Sequence, residues 1–228
     1  MSLTIGIYDL FAYTIPGLFY LVVMYASLRQ FGIVQLGISN IPDIPSGLGL
    51  LVFILVVVAA HLLGHLLDIF AHWFVFRLFK PFKYSERVLE NMKATHSNVG
   101  ICFEPKDWGL LFSMLRQRSQ EHAQLIDSFE ANSIMLRNIS LGLFLLVLLQ
   151  IDSLITSFNP LSLILAIGLF VLSIVARKRS HMFHAWFLTD IFESSLDYGK
   201  NVNEVLAYQS QKQELKAENK TKAKTRRK

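Results

Sequence analysis

The sequence contains little of what most enzymes use. Its single cysteine, Cys102, excludes an intramolecular disulfide framework and a paired-cysteine metal or redox site. It has no glycine-rich phosphate-binding loop, no His-Glu-x-x-His metalloprotease motif and no Gly-x-Ser-x-Gly nucleophile motif. Charged residues make up 17% of the chain, a smaller share than soluble domains usually carry. We therefore predict a protein that is not an enzyme and that uses no cofactor and no metal.

Apolar sequence is abundant instead, with 53% hydrophobic residues and a mean hydropathy of +0.42. Residues 47–79 form an apolar run too long for a soluble core helix, and we place a membrane span at 48–70. Three further stretches are long enough to cross a bilayer: residues 8–28, 139–155 and 161–176. Pro16 predicts a kink in the first of them. The predicted fold class is all-α, a polytopic membrane protein with four transmembrane helices and a helical cytoplasmic insert.

Lysine and arginine are distributed unevenly around these spans. The connectors between spans one and two and between spans three and four are nearly free of them, whereas the middle segment and the sequence after Ala176 are rich in them. The positive-inside rule then places the middle segment and both termini in the cytoplasm. The chain divides into a transmembrane hairpin (1–79), a cytoplasmic helical insert (80–137), a second hairpin (138–176), a juxtamembrane helix (177–209) and a disordered basic tail (210–228).

Four ionisable residues interrupt the second span at spacings of four, three and four: His61, His65, Asp68 and His72. At about 100° per residue they lie on one helix face, which we call the polar stripe. Polar side chains in a bilayer are costly and seldom face lipid, so the stripe must face another helix, a water-filled cavity or a second copy. Asp9 and Tyr13 of the first span are expected at the same depth and are candidate facing groups.

The polar stripe has three interpretations. We favour a hydrogen-bonded seam between helices. An ion or proton path is the second, because histidine titrates near neutral pH. A metal site is the third, because a His-x3-His pair with a carboxylate one turn later suits Zn²⁺. A metal site on one helix usually needs further ligands from another segment, however, and no other predicted span carries a histidine.

Helices are also predicted outside the spans. Residues 81–98 favour a short helix, and Glu104-Pro105 is typical of the start of another. No proline occurs between Pro105 and Pro160, so we expect one long helix that continues into span three. A separate helix is expected at 181–198, packed on the insert or lying on the inner leaflet. An incomplete heptad pattern in the insert favours packing within its own domain over a coiled coil between subunits.

The last segment combines many cations with few acids, so it cannot form a core. We expect these residues to contact anionic lipid or a partner electrostatically: Lys212, Lys216, Lys220, Lys222, Lys224, Arg226, Arg227 and Lys228. Direct nucleic-acid binding is not expected, because no aromatic residues are interleaved with the charges. The other expected partners are the lipid bilayer, further copies of the chain that shelter the polar stripe, and a cytoplasmic protein.

Two stretches carry a resemblance to known proteins: YDLFAYTIPG at residues 8–17 and AHLLGH at residues 60–65. With the helical insert that follows, they resemble small inner-membrane proteins of bacteria, including the four-span subunit of Kiwa-type anti-phage defence systems. The resemblance implies a bacterial inner membrane and a membrane sensor or membrane-disrupting effector that works with a cytoplasmic partner. We therefore predict an oligomeric scaffold, sensor or effector. The main alternative is an ion or proton channel or transporter subunit that uses the polar stripe, and an intramembrane enzyme or metal protein is a third.

Overall fold

The computed structural model describes residues 8–34, 46–76, 84–96 and 103–196, and the regular structure in these ranges is helical. In chain order the helices are α1 (Leu10–Gln30), α2 (Ser46–Phe76), α3 (Tyr84–Thr95), α4 (Trp108–Arg118), α5 (Gln120–Thr156) and α6 (Pro160–Leu196). The helices α1, α2, α5 and α6 are long and apolar enough to cross a membrane. The predicted all-α class with four spans is confirmed. The basic tail lies outside the described residues.

Helix α1 is irregular at its start and closed at its end. Leu10–Thr14 is a π-helical turn, and regular α-helix follows from Ile15. The wider turn lies directly before Pro16, whose missing N–H and bulky ring disrupt the regular bonding pattern there. At the other end Gly32 has a φ of 70°, a conformation that favours glycine. The Ile33 N–H then donates to the Leu28 carbonyl at 2.9 Å, which stops the helix.

Helices α1 and α2 meet backbone to backbone at two glycines. A Cβ atom added to Gly17 would overlap the backbone carbonyl of Ala60, and one added to Gly64 would overlap that of Tyr13. Ala60 itself is fully buried. Small residues allow such an approach in membranes, where dispersion contacts and interhelical hydrogen bonds drive association. This approach brings the polar stripe of α2 against the start of α1.

The chain forms two compact units. The membrane unit consists of Met1–Phe82 and Asp127–His184, and the insert unit consists of Lys83–Ile126 and Ala185–Lys228. The helices α5 and α6 each contribute residues to both units, because the divisions fall within them.

The membrane unit is held together by an apolar cluster and by paired serines. The cluster comprises Tyr20, Ala71, Phe74, Val75 and Leu141. Between α5 and α6, Ser140 and Ser173 each donate to the other's backbone carbonyl, at 2.9 and 2.8 Å. Ser133 and Ser180 repeat the arrangement two turns away, at 3.0 and 2.8 Å. All four serines are buried, and these small polar groups satisfy each other's hydrogen bonds between α5 and α6.

The insert unit has an aromatic core. Phe103 stacks on Phe192 with ring centroids 5.7 Å apart, and Phe187 lies 5.7 Å from both Trp108 and Phe112. The end of α6 therefore packs on the insert, the first of the two placements expected for it. Before α4, Lys106 forms a 2.7 Å salt bridge with the exposed Glu104, which lowers the pKa of that carboxyl.

Two helix predictions were wrong. The helix expected from Pro105 is broken at Ser119, which has an extended backbone, and α5 begins at the next residue. The Ser119 hydroxyl accepts the His122 N–H at 3.3 Å, so this serine acts as an N-cap of α5. The separate helix expected at 181–198 is instead the last part of α6. Neither proline nor glycine occurs between Arg177 and Leu196, so nothing there stops the helix.

Candidate functional site: the polar stripe of α2

Asp68, at the centre of the stripe, is bound by two residues of α5. The Arg137 guanidinium donates two hydrogen bonds to the carboxylate, from Nε to Oδ1 at 2.8 Å and from Nη2 to Oδ2 at 2.5 Å. The Asn138 amide adds a third bond to Oδ1 at 2.8 Å. The side chains of Arg137 and Asp68 are only 14% and 16% exposed, so solvent screens the pair weakly. A bidentate pair of this kind fixes orientation as well as charge.

Asn138 and Tyr20 extend this network to α1. Asn138 is fully buried, and its amide also donates to the Ile134 carbonyl at 3.1 Å. The Tyr20 hydroxyl donates to the Asn138 backbone carbonyl at 2.8 Å. We call Tyr20, Asp68, Arg137 and Asn138 the Asp68 network. It ties α1, α2 and α5 together, and each of its four residues is hydrogen-bonded to another, as buried polar side chains require.

His61 and His65 form a second, separate environment against α1. The Thr14 hydroxyl lies 3.1 Å from His61 Nδ1, and His61 Nε2 lies 3.2 Å from His65 Nε2. The Tyr13 ring stacks on His65 with centroids 3.6 Å apart and planes 22° from parallel. Tyr13 thus faces the stripe, whereas Asp9 is exposed at the residue before α1 begins.

His72 belongs to a third environment, next to α6. Its ring lies 4.9 Å from that of Phe76, and Phe76 in turn contacts His181 at 4.9 Å and His184 at 5.5 Å. The polar stripe therefore meets two further helices, α5 at Asp68 and α6 beyond His72. Histidines from outside the predicted spans do approach it, because α6 continues past its apolar part.

The chemistry of this arrangement is hydrogen bonding and ion pairing. Within residues 8–34, 46–76, 84–96 and 103–196, no group of three or more His, Cys, Asp or Glu side chains is placed to hold a metal ion. Asp68, the carboxylate that a metal site would need beside His61 and His65, is taken up by Arg137 and Asn138. What the geometry provides is a set of interhelical contacts along one face.

Reasoning from the sequence missed the partners of Asp68. Arg137 was counted among the cytoplasmic cations, and the predicted boundary between insert and third span fell between Arg137 and Asn138. A signal was present: α2 carries one acid in its apolar sequence, and Arg137-Asn138 stands directly before the apolar run of α5. Opposite charges at the edges of two spans are a reason to expect a pair.

No family model matches the chain, and no curated protein or solved structure is significantly similar to it. The fold and the site define the class: the protein is a four-span helical membrane protein whose second span carries a polar face.

Proposed function

We propose that this protein is a non-enzymatic membrane scaffold or sensor that assembles with copies of itself and docks a cytoplasmic protein through the insert unit. The observation that carries the proposal is the continuity of α5 and α6. Each helix runs without a break from an apolar, membrane-crossing part into the insert unit. A change in the packing of the spans would thus act on the same helices that build the insert unit.

The Asp68 network supports a structural role for the polar stripe. Asp68 is neutralised by Arg137 and further bonded by Asn138, which is how a membrane protein keeps a charge between helices. Such a network specifies which helices pack together. A carboxylate that relays ions would instead need to exchange its partner during transport.

Exposed apolar surface supports the expected assembly. In a single chain, only 11% of the most apolar stretch of α2 is buried, compared with 33% of that of α1. This leaves a broad face for lipid or for a neighbouring copy. In the insert unit, outside the apolar parts of the spans, Trp108, Leu125 and Trp186 are 38%, 50% and 42% exposed. Tryptophan is enriched among the residues that dominate protein–protein binding energy, so these side chains are candidate contacts for a protein partner.

The proposed compartment is supported by the charge distribution and by the resemblance. The positive-inside rule favours a cytoplasmic insert unit and cytoplasmic termini. The resemblance to membrane subunits of anti-phage defence systems adds a bacterial inner membrane, and a partner that acts with this protein against phage.

Photocrosslinking in cells tests the proposed docking. Benzoylphenylalanine placed at Leu125 or Trp186 should form an adduct with one cytoplasmic protein. The matched control is Ile155, equally apolar and 79% exposed but at the far end of α5. Adducts of the same protein from Ile155, or adducts with lipid alone from Leu125 and Trp186, would contradict the proposal.

A proton path is a second candidate, favoured by one observation. Thr14, His61 and His65 form a continuous chain of contacts at 3.1 and 3.2 Å, and imidazoles in such a chain can pass a proton. Purified protein in liposomes separates the two functions. If the protein is a scaffold, proton flux should not exceed that of protein-free vesicles. A proton flux that His65→Leu abolishes would instead show that the protein is a proton path.

A further inference from the structure

Helix α2 carries a row of exposed residues whose spacings alternate between three and four. The row runs through the apolar sequence of the span and consists of Leu48, Leu51, Leu55, Val58, Leu62, His65 and Ile69. Leu62 and Ile69, on either side of His65, are 58% and 72% exposed. This alternation repeats every seven residues, the pattern by which two helices stay in contact along their length in a left-handed pair. We call these seven residues the His65 row.

His65 is the polar member of the row. Its Nε2 lies 3.2 Å from His61 Nε2, and the Tyr13 ring covers one face of its imidazole. The imidazole is nevertheless exposed, and leucines precede and follow it in the row and in the sequence. Polar side chains within a bilayer seldom face lipid, because lipid offers them no hydrogen bond. A polar group from outside the chain is therefore expected at His65.

The adjacent exposed surface of α2 gives no such signal. Val52, Ala59 and Leu66 lie beside the His65 row and are exposed as well. They carry no polar side-chain group, so lipid can cover them without an unsatisfied hydrogen bond. Exposure alone thus does not separate a lipid-facing surface from a docking surface, whereas the position of His65 does.

We propose that the His65 row is the surface through which a second copy of this chain docks, with two α2 helices side by side and parallel. Copies inserted in the same orientation present the same residue at the same depth, so rotational symmetry brings the His65 of each copy together. A neutral imidazole has one donor and one acceptor, which makes it complementary to itself. A single polar residue in an apolar heptad row also fixes the register of the pair. The inference rests on the proposed self-assembly and names its surface.

Disulfide cross-linking in membranes tests the row. In a Cys102→Ser background, Leu55→Cys and Ile69→Cys place a thiol on it. Val56→Cys and Phe70→Cys are the matched controls, because each is the next residue, at nearly the same depth but about 100° further round the helix. Val56 and Phe70 are themselves 41% and 61% exposed. A disulfide needs Cα atoms within about 7 Å, so we expect about tenfold more covalent dimer from the row than from the controls.

Counting the copies by single-molecule photobleaching in vesicles separates this inference from the proposed self-assembly. Two or more copies with preferential cross-links on the His65 row support both. Two or more copies with equal cross-linking at row and control positions, or with none on the row, overturn the row and leave self-assembly standing. Single copies overturn both, and show that lipid covers this face.

Variants of His65 test its part in the contact. His65→Leu should weaken association, measured by energy transfer between labelled copies in vesicles, by about threefold to twentyfold, the range of one interhelical hydrogen bond. His65→Asn keeps a donor and an acceptor and should restore most of the association. Equal association of the leucine variant and the wild type would overturn the role of His65. The cysteine variants retain His65, so the cross-linking result stands even if His65→Leu does not fold, which circular dichroism checks.

Discussion

Arg137 reaches across 69 positions of sequence to hold both carboxylate oxygens of Asp68. At this contact Asp68 is covered by a helix of its own chain, at the point where the sequence of α5 changes from charged to apolar. Shelter for Asp68 therefore does not require a second copy. Assembly, where it occurs, is left to the more exposed His61–His65 end and to the apolar face of α2.

The Asp68–Arg137 pair should be strongly coupled. Asp68→Leu or Arg137→Leu alone leaves a half-buried charge without its partner, which typically costs about 3–5 kcal/mol. The double variant removes both charges and should recover most of that loss. Thermal unfolding of the three variants in detergent measures the coupling. Additive losses in the double variant would show that the two side chains act independently.

The glycines between α1 and α2 should tolerate no side chain. Gly17→Ala and Gly64→Ala each force a Cβ atom into a backbone carbonyl of the facing helix, so we expect a loss of about 1–3 kcal/mol or more. Gly49→Ala and Gly168→Ala are the controls, because a Cβ there meets nothing within 4 Å. These should be neutral or stabilising by up to about 1 kcal/mol, since alanine favours helix. Thermal unfolding that ranks all four alike would contradict the backbone contact.

The reciprocal serine pairs should contribute modestly. Ser140→Ala removes the hydroxyl that donates to the Ser173 carbonyl at 2.9 Å, and interhelical bonds of this kind average about 0.6 kcal/mol and reach about 1.7 kcal/mol in membranes. Ser113→Ala, on the exposed side of α4, is the control and should leave the melting temperature unchanged. A larger loss from Ser113 than from Ser140 would show that the pairing between α5 and α6 is not what stabilises them.

The orientation of the spans is a prediction of the charge distribution. Reporter fusions at Ser46 and Phe158 should report the periplasm, and fusions at Ser97 and Lys228 should report the cytoplasm, because lysine and arginine are retained on the cytoplasmic side. A cytoplasmic signal at Ser46 would be incompatible with four spans and both termini inside.

The basic tail should act through charge. Deletion of residues 212–228 should leave insertion intact, because Arg177–Arg179 already flank the fourth span. The deletion should weaken attachment to anionic vesicles, by an amount that shrinks as salt rises, since exposed charges are screened over about 8 Å at physiological ionic strength. An effect that does not change with salt would indicate a structured role for the tail.

Local sequence was enough to predict the architecture. A bilayer requires about twenty apolar residues for each helix, so the hydropathy of the chain gives four spans, which the structure confirms. Helical periodicity likewise places His61, His65, Asp68 and His72 on one face of α2, because their spacing fixes their angle around the helix. The same local reasoning missed the break at Ser119, where a serine N-cap and not a proline ends the preceding helix.

Tertiary structure decided what that face meets. The sequence shows that Asp68 lies in an apolar span, where an unpaired charge is costly. Several cations in the chain could pair with it. Which of them lies close depends on the depth and rotation of each helix. The backbone approach at Gly17 and Gly64 sets α2 against α1, and Arg137 and the buried Asn138 of α5 both bond to Asp68. Hydropathy and periodicity predict where a helix lies in the chain and which residues share its face. The partners of those residues are decided by packing between helices that are far apart in the chain.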